Sequence, residues 1–461
     1  MILKVRQVLG LRFSSPERPL TTNHKIFRAI VIVGACSIIA KLAATAKELA
    51  VAGWFARSDA LDAFLIAFLL PSFVVGIVAG SLNGAFIPAF IHARENEGKE
   101  AAQRLFSSTM VLTAAALGGV AILLGIFAPY FLPLVGLGFS PHKLMLSRQI
   151  LYLLLPFVFL SGLVTVWSAV LSAGEQFLLP AVTPTLTPLV ILAFLFLKGN
   201  SWGIFSLAAG TIIGQIGEAV FLASALKAHG LHLWLSWKGI DTHVRRVITQ
   251  CVPLAAGALI SGGTTLVDQS MATMLPSGSV SALNYANRIV GAILGVGTLA
   301  LGRAALPYLS GLAADKDWGA FRHTIRTYVR LIVLVTVPLA VLVFFSSRVL
   351  VRVLFEHGSF RSGDTAVVGP VLAFYSVQIP FYALGALAVS VLSSVSRNDI
   401  LFYAAGVNVV LDIILNLLLM RVWGVAGIAL SSSLVSAASL AFICAFIPGI
   451  EKTLVVQGRV K

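Results

Sequence analysis

The sequence predicts an all-α polytopic membrane protein of about twelve transmembrane helices in two parallel six-helix lobes. Three observations carry that expectation. The chain is too apolar and too poor in charge for a soluble domain, its apolar runs recur at bilayer-spanning lengths, and its two halves resemble each other in order. Hydrophobic residues make up 58% of the 461 positions and charged residues 11%, with a mean hydropathy of +0.96. Soluble domains usually carry about 25% charged residues.

A helix needs about 20 apolar residues to cross roughly 30 Å of hydrocarbon. On that basis the spans are expected over 26–56, 60–91, 104–135, 145–173, 178–198, 202–227, 244–275, 279–312, 325–346, 366–395, 400–420 and 423–447. The basic stretch 1–25, with Pro16 and Pro19, reads as a cytoplasmic tail and lacks the apolar core and cleavage site of a secretory signal. The lobes then occupy 26–230 and 244–449, with a cytoplasmic linker at 231–243 and a short tail at 450–461.

Orientation follows from the loop lysines and arginines. With the N-terminus cytoplasmic, 21 of them fall on that side and 8 on the other, so both termini are expected inside. Much of the formal net charge of +15 is then a topology signal rather than a nucleic-acid-binding one. Cys36, Cys251 and Cys444 lie within apolar runs without paired or metal-like spacing, and read as small hydrophobes. There is no Walker loop, and His229, His232 and His243 have no supporting carboxylates, so neither an ATPase, another enzyme nor a metal site is expected.

The halves repeat. At an offset of 219, Ser58, Ala63, Gly76, Ala85, Pro88 and Ala101 match Ser277, Ala282, Gly295, Ala304, Pro307 and Ala320. Further on, the segment from Pro156 parallels that from Pro380 at offset 224, and Trp202-Gly203-Ile204 parallels Trp423-Gly424-Val425. An even helix number per repeat relates the lobes by an axis along the membrane normal and leaves a cleft between them, suited to alternating access.

Four basic residues fall inside spans, Lys41, Lys47, Arg288 and Arg303, as do the acids Glu48, Glu218, Asp268 and Asp412, with Asp62 at a helix mouth. Each charge costs roughly 2.5 to 3.5 kcal/mol or more at membrane depth, so these are expected to face a bundle interior or a hydrated cleft. Lys41 and Glu48 share a helix face, and Lys41 lies too deep to snorkel easily, whereas Lys47 could reach the outer surface. Arg288 follows Tyr285 and Asn287. It reads either as a structural partner of Asp268 or as a planar fork for phosphate. Asn408, Asp412 and Asn416 form a stripe at i, i+4, i+8, expected to hydrogen-bond between helices, with a proton or cation site at Asp412 as the alternative. Arg303 is expected to snorkel at the inner end of its helix, and Asp62 to cap its own helix.

The segments KELAVAGWFARSDALDAFLIAFLLPSF (47–73), SLNGAFIPAF (81–90), GSVSALNYANRIV (278–290) and ALPYLS (305–310) resemble the MurJ/MviN lipid II flippases of the MOP exporter superfamily, related to Wzx and MATE transporters. The resemblance covers at least 30–430. It implies a bacterial inner-membrane flippase that moves an undecaprenyl-diphosphate-linked saccharide, lipid II or an exopolysaccharide or O-antigen precursor, to the periplasmic leaflet. It implies that cavity cations bind the diphosphate: Lys41 and Lys47 stand where the family commonly has arginines, Glu48 where it has an acid, Asp62 in its Asp-Ala-Phe, and Arg288 at its cavity arginine. No cofactor is expected, though the membrane potential or an ion gradient could drive the cycle, and cell-envelope glycosyltransferases are candidate partners. The sequence departs from the family at Val75 and Gly76, where an arginine pair is usual, at Asn287, where an acid is usual, and in ending after about twelve helices rather than fourteen. A MATE-type cation-coupled drug antiporter is the alternative function.

Overall fold

The computed structural model describes the backbone of residues 22–459 except 175, 229, 231–236, 238, 316 and 396; side chains in 22–32, 296–307 and 447–459, and that of residue 398, are not described. Most of the expected tail at 1–25 and linker at 231–243, and the Arg303 side chain, therefore lie outside the described residues.

The helices are α1 (Thr22–Phe55), α2 (Asp59–Asn96), α3 (Lys99–Val135), α4 (Pro141–Ala173), α5 (Leu178–Val182), α6 (Leu186–Trp202) and α7 (Ile204–Ala228) in the first half. The second half has α8 (Thr242–Ser261), α9 (Gly263–Ala272), α10 (Ser279–Ala314), α11 (Trp318–Phe355), α12 (Ser362–Ser376), α13 (Gln378–Ser394), α14 (Asn398–Trp423) and α15 (Val425–Arg459). Among the described residues there is no strand. Among the described residues, ten helical stretches are long and apolar enough to cross a membrane, including the composite spans Leu178–Trp202, Thr242–Ala272 and Ser362–Ser394. With α1 and α10, which have 34 and 36 residues, the helical passes match the twelve the sequence predicts.

Starts follow local chemistry. Ser58 accepts from Leu61 N at 3.3 Å and caps α2, Ser140 precedes Pro141 at the start of α4, and Asp241 and Asp317 accept from Val244 N and Ala320 N to cap α8 and α11. Three spans that hydropathy draws as continuous are broken. Thr183–Thr185 forms a 3-10 turn around Pro184 between α5 and α6. The α12–α13 break falls at Val377, where Pro380 has no N–H for the Ser376 carbonyl. Between α8 and α9, a Cβ at Gly262 would collide with the Phe73 ring.

Helices pack mainly within their own half, as in the α2/α4, α3/α4 and α6/α7 pairs and the α11/α12, α14/α15 and α10/α13 pairs. One helix departs from that plan. α8, the first of the second half, packs along α2, and Val244 and Val247 join a core cluster with Leu82, Phe86, Leu105 and Leu222 of the first half. α9 instead meets α14, so the Gly262 break joins a helix held by the first lobe to one held by the second. Hydropathy cannot register this, because α8 is apolar enough to sit in either lobe.

The duplication is visible in backbone geometry. α6 ends at Gly203 with φ 52°, ψ −131°, and α14 ends at Gly424 with φ 55°, ψ −134°, each closing on the carbonyl four residues before. Only glycine takes that conformation cheaply. Gly203→Ala and Gly424→Ala should each cost about 1–3 kcal/mol and lower the melting temperature in detergent. Gly217→Ala, inside α7 with open space around it, should raise it or leave it unchanged, since alanine gains about 0.8–1.0 kcal/mol over glycine in a helix.

Candidate binding site between the lobes

The membrane-depth charges gather where α1 of the first lobe faces α10 of the second. Seven residues of α-helix nearly complete two turns, which puts Lys41 and Glu48 on one face with Lys47 at its edge. Glu48 Oε1 accepts from Lys47 Nζ at 2.6 Å and lies 3.2 Å from Arg288 Nε. Lys41 Nζ reaches across to α10, where a Cβ on Gly295 would sit 3.4 Å from it. Gly295 is two helical turns, about 10 Å, beyond Arg288. The alternative pairing of Arg288 with Asp268 does not form, nor does Lys47 stand alone at the outer surface.

Exposure decides what this group can do. The Glu48 and Lys47 side chains are 14% and 19% exposed, whereas the Arg288 side chain is 55% exposed. Arg288 spends Nε on Glu48, and among the described residues its two terminal nitrogens have no partner. Three cations and one anion leave two net positive charges facing the cleft. A guanidinium held from one side, with its outer edge free, is suited to bidentate contact with a phosphate.

Asp62 takes a different part from the one expected. Ser58 caps α2, and the buried Asp62 carboxylate reaches the second lobe, where its oxygens accept from Gly278 N and Ser281 N at 2.8 Å each. It thus caps α10, whose own N-cap residue, Gly278 at φ 83°, has no side chain to do so. Lys143 Nζ neutralises it at 3.0 Å and also meets Asp59 at 2.6 Å. Around this point the lobes are tied at one end of the molecule. Arg57 Nε donates to Gly278 O at 3.1 Å, Tyr285 Oη to Ala56 O at 2.9 Å, and Ser359 N to Gly53 O at 2.7 Å. Tyr285 is packed between Phe355 and Phe360. Arg57, Asp59, Lys143 and Tyr285 carry no sign of this in the sequence beyond the i, i+3 carboxylates of α2, because every partner is distant along the chain.

Asp268 and Asp412 form a separate group inside the second lobe. Asn416 Nδ2 and Ser432 Oγ each donate to Asp268 at 2.8 Å, Ser431 Oγ lies 3.4 Å from Asp412 Oδ1, and Asn408 donates to Ser439 Oγ at 2.9 Å. The polar stripe on α14 therefore ties it to α9 and α15. Asp412 Oδ2 and Asn416 Oδ1 are buried without a hydrogen-bond partner. Asn287 is exposed one residue from Arg288 and lines a cavity with these groups. Of the two departures on α2, Val75 packs on a first-lobe cluster with Leu117, Ala121 and Val158, and Gly76 faces open space.

Comparison with known proteins gives one family. A family model described as "Lipid II flippase MurJ" matches residues 51–455. The "Probable lipid II flippase MurJ" of Buchnera aphidicola is 24% identical over 418 residues, 89% of this chain and 81% of that protein. The Synechocystis protein of the same description is 27% identical over 87% of this chain and 77% of its own length. A solved "Lipid II flippase MurJ, inward closed conformation" shares the fold at a TM-score of 0.79, with 22% identity, over 91% of this chain and 87% of that one. An "Inward-facing conformation of a multidrug resistance MATE family transporter of the MOP superfamily" follows at 0.73, with 11% identity, over 92% and 98%.

The inter-lobe tie is testable. Asp62→Asn leaves the buried Lys143 with Asp59, whose side chain is 65% exposed, as its remaining charge partner, a loss of at most about 3–5 kcal/mol, and weakens the α10 cap. A cysteine introduced by Ser281→Cys, fully buried here, should react with a membrane-impermeant maleimide several-fold faster in the Asp62→Asn background. Asp59→Asn should change labelling little, because the Asp59 side chain is 65% exposed and exposed pairs contribute about 0–1 kcal/mol. Equal effects of the two substitutions would remove Asp62 from its central place in the closure.

Proposed function

The chain belongs to the lipid II flippase MurJ family, and from that premise we propose that it moves an undecaprenyl-diphosphate-linked saccharide between the leaflets of the bacterial inner membrane. The substrate is lipid II or a related exopolysaccharide or O-antigen precursor, carried from the cytoplasmic to the periplasmic leaflet. The single observation behind the residue assignment is the α1–α10 group. A diphosphate esterified at both ends carries two negative charges, and Lys41, Lys47 and Arg288 less Glu48 leave two positive ones. The guanidinium takes phosphate oxygens, the two lysines complete the neutralisation, the saccharide crosses in the hydrated cleft and the polyprenyl tail stays in lipid.

Alternating access requires the lobes to part where they are now tied. On the orientation set by the loop lysines and arginines, both termini are cytoplasmic and the tied end is periplasmic, so the structure corresponds to the arrangement that admits substrate from inside. Glycosyltransferases that consume the externalised saccharide are the class of partner this product requires. A cation-coupled drug antiporter fits less well, because a net-positive cleft repels a cationic substrate.

A specific observation supports ion coupling in the second lobe. Asp268 and Asp412 lie together around the unpaired oxygens of Asp412 and Asn416, a set of oxygen donors that suits a proton or a small monovalent cation. One charge moved through 100 mV is worth about 2.3 kcal/mol, enough to bias the return of the empty carrier.

In proteoliposomes loaded with labelled lipid-linked saccharide, Arg288→Ala should slow leaflet exchange at least tenfold and Lys41→Ala severalfold; unchanged exchange in both would sink the diphosphate assignment. Asp412→Asn should abolish the dependence of exchange on an imposed ion gradient or potential. Retained gradient dependence would place coupling elsewhere.

A further inference from the structure

We propose that the cavity inside the second lobe is a saccharide subsite, holding the first sugar of the substrate while the diphosphate lies against Arg288, Lys47 and Lys41. The proposal rests on the diphosphate reading above and adds the place and chemistry of the sugar.

The cavity measures about 980 Å³, at the upper end of the roughly 300–1,000 Å³ typical of small-molecule sites. Its wall includes Asn284, Asn287, Gly291 and Gly295 of α10. Those residues bracket Arg288 by one turn on either side and run to the contact with Lys41 at Gly295, so the cavity opens beside the cations. Gly291 has open space where a Cβ would point, which keeps the passage between them wide. No described lining residue is basic, so a phosphate gains nothing by entering, and the division between a cationic rim and a chamber without cations follows.

The lining suits a hydroxyl-rich ring. Asn284, Asn287 and Gln378 each present both donors and acceptors, and among the described residues their side chains make no hydrogen bond to protein. Tyr382 on α13 adds an aromatic face that is 49% exposed, apolar enough to take the C–H face of a sugar, with a hydroxyl at its edge. Asp268 and Asp412 at the floor supply further acceptors.

The duplication shows that packing does not require this polarity. At the register aligning Pro156 with Pro380, Gln378 and Tyr382 correspond to Leu154 and Val158 of the first lobe, both completely buried in its core. At the register aligning Ser58 with Ser277, Asn284 corresponds to Leu65, and at that of Trp202 with Trp423, Asp412 corresponds to Ile191. The same helices thus pack with leucine, valine and isoleucine in one lobe and carry amide, phenol and carboxyl groups in the other. Gln378 is 9% exposed and makes no hydrogen bond to protein among the described residues; an unpaired polar group is costly to bury, so its place on this wall, with Asn284 and Tyr382 lining the same chamber, points to a ligand that uses them.

The test compares binding of undecaprenyl diphosphate, bare and carrying one N-acetylhexosamine, to the purified full chain in nanodiscs. The unmodified protein should bind the sugar-bearing lipid at least tenfold more tightly. Gln378→Leu combined with Tyr382→Val, which installs the first-lobe residues, should bring that ratio within twofold of one while bare-lipid affinity stays within twofold. Asn284→Leu, made separately, should reduce the ratio as well, so that one poorly folding variant does not decide the matter. Arg288→Ala should weaken both lipids alike and preserve the ratio. A ratio near one in the unmodified protein, or one that survives all the cavity substitutions, overturns the subsite. Undiminished binding of both lipids by Arg288→Ala overturns the diphosphate reading instead.

Discussion

A charge at membrane depth has to be paired or hydrated, and the architecture between the two lobes is arranged around that requirement. Glu48 and Asp62 solve it in the same way. Each carboxylate is matched with a cation of its own lobe, Lys47 for Glu48 and Lys143 for Asp62, and then takes a second ligand from the other lobe, Arg288 or the N-terminal amides of α10. The first partner covers the electrostatic penalty of burial, which is several kcal/mol for an unpaired ion. The second is free to come and go.

That division makes the tied end of the molecule reversible. When the lobes part, Asp62 keeps Lys143 and loses only its contacts to Gly278 and Ser281, and Glu48 keeps Lys47 while releasing Arg288. What breaks is a set of hydrogen bonds, among them Arg57 to Gly278, Tyr285 to Ala56 and Ser359 to Gly53, each contributing a net of about 0.5–1.5 kcal/mol. Such a sum is within reach of substrate binding and an ion gradient. The α8–α9 break supplies the complementary element, since α8 stays with the first lobe and α9 with the second.

Duplication gave both lobes the same helical scaffold, down to the conformation of Gly203 and Gly424. Function has divided them. The first lobe packs Ile191 and Leu195 at positions where the second places Asp412 and Asn416, and its own buried carboxylate, Glu218 of α7, accepts from Thr187 Oγ1 at 2.6 Å instead, while the charges that face the cleft are shared. The cleft cations lie beside the polar interior of the second lobe along α10, where the cavity-lining Asn284, Asn287 and Gly291 fall within about one turn of Arg288.

The sequence by itself determined the solvent, the twelve helical passes, the repeat and the short set of membrane-depth charges, because hydropathy, run length and offset are local or strictly periodic quantities. It also singled out Lys41, Lys47, Glu48 and Arg288, since a charge in an apolar run is conspicuous in one dimension. Only the tertiary structure decided the partners. Whether Arg288 meets Asp268 or Glu48, whether Asp62 caps its own helix or one more than two hundred residues away, and which lobe holds α8 all depend on rotations and tilts that leave no trace in composition. Arg57, Lys143 and Tyr285 were hidden for the same reason: each looks like an ordinary residue near a helix end until a helix distant along the chain is brought against it.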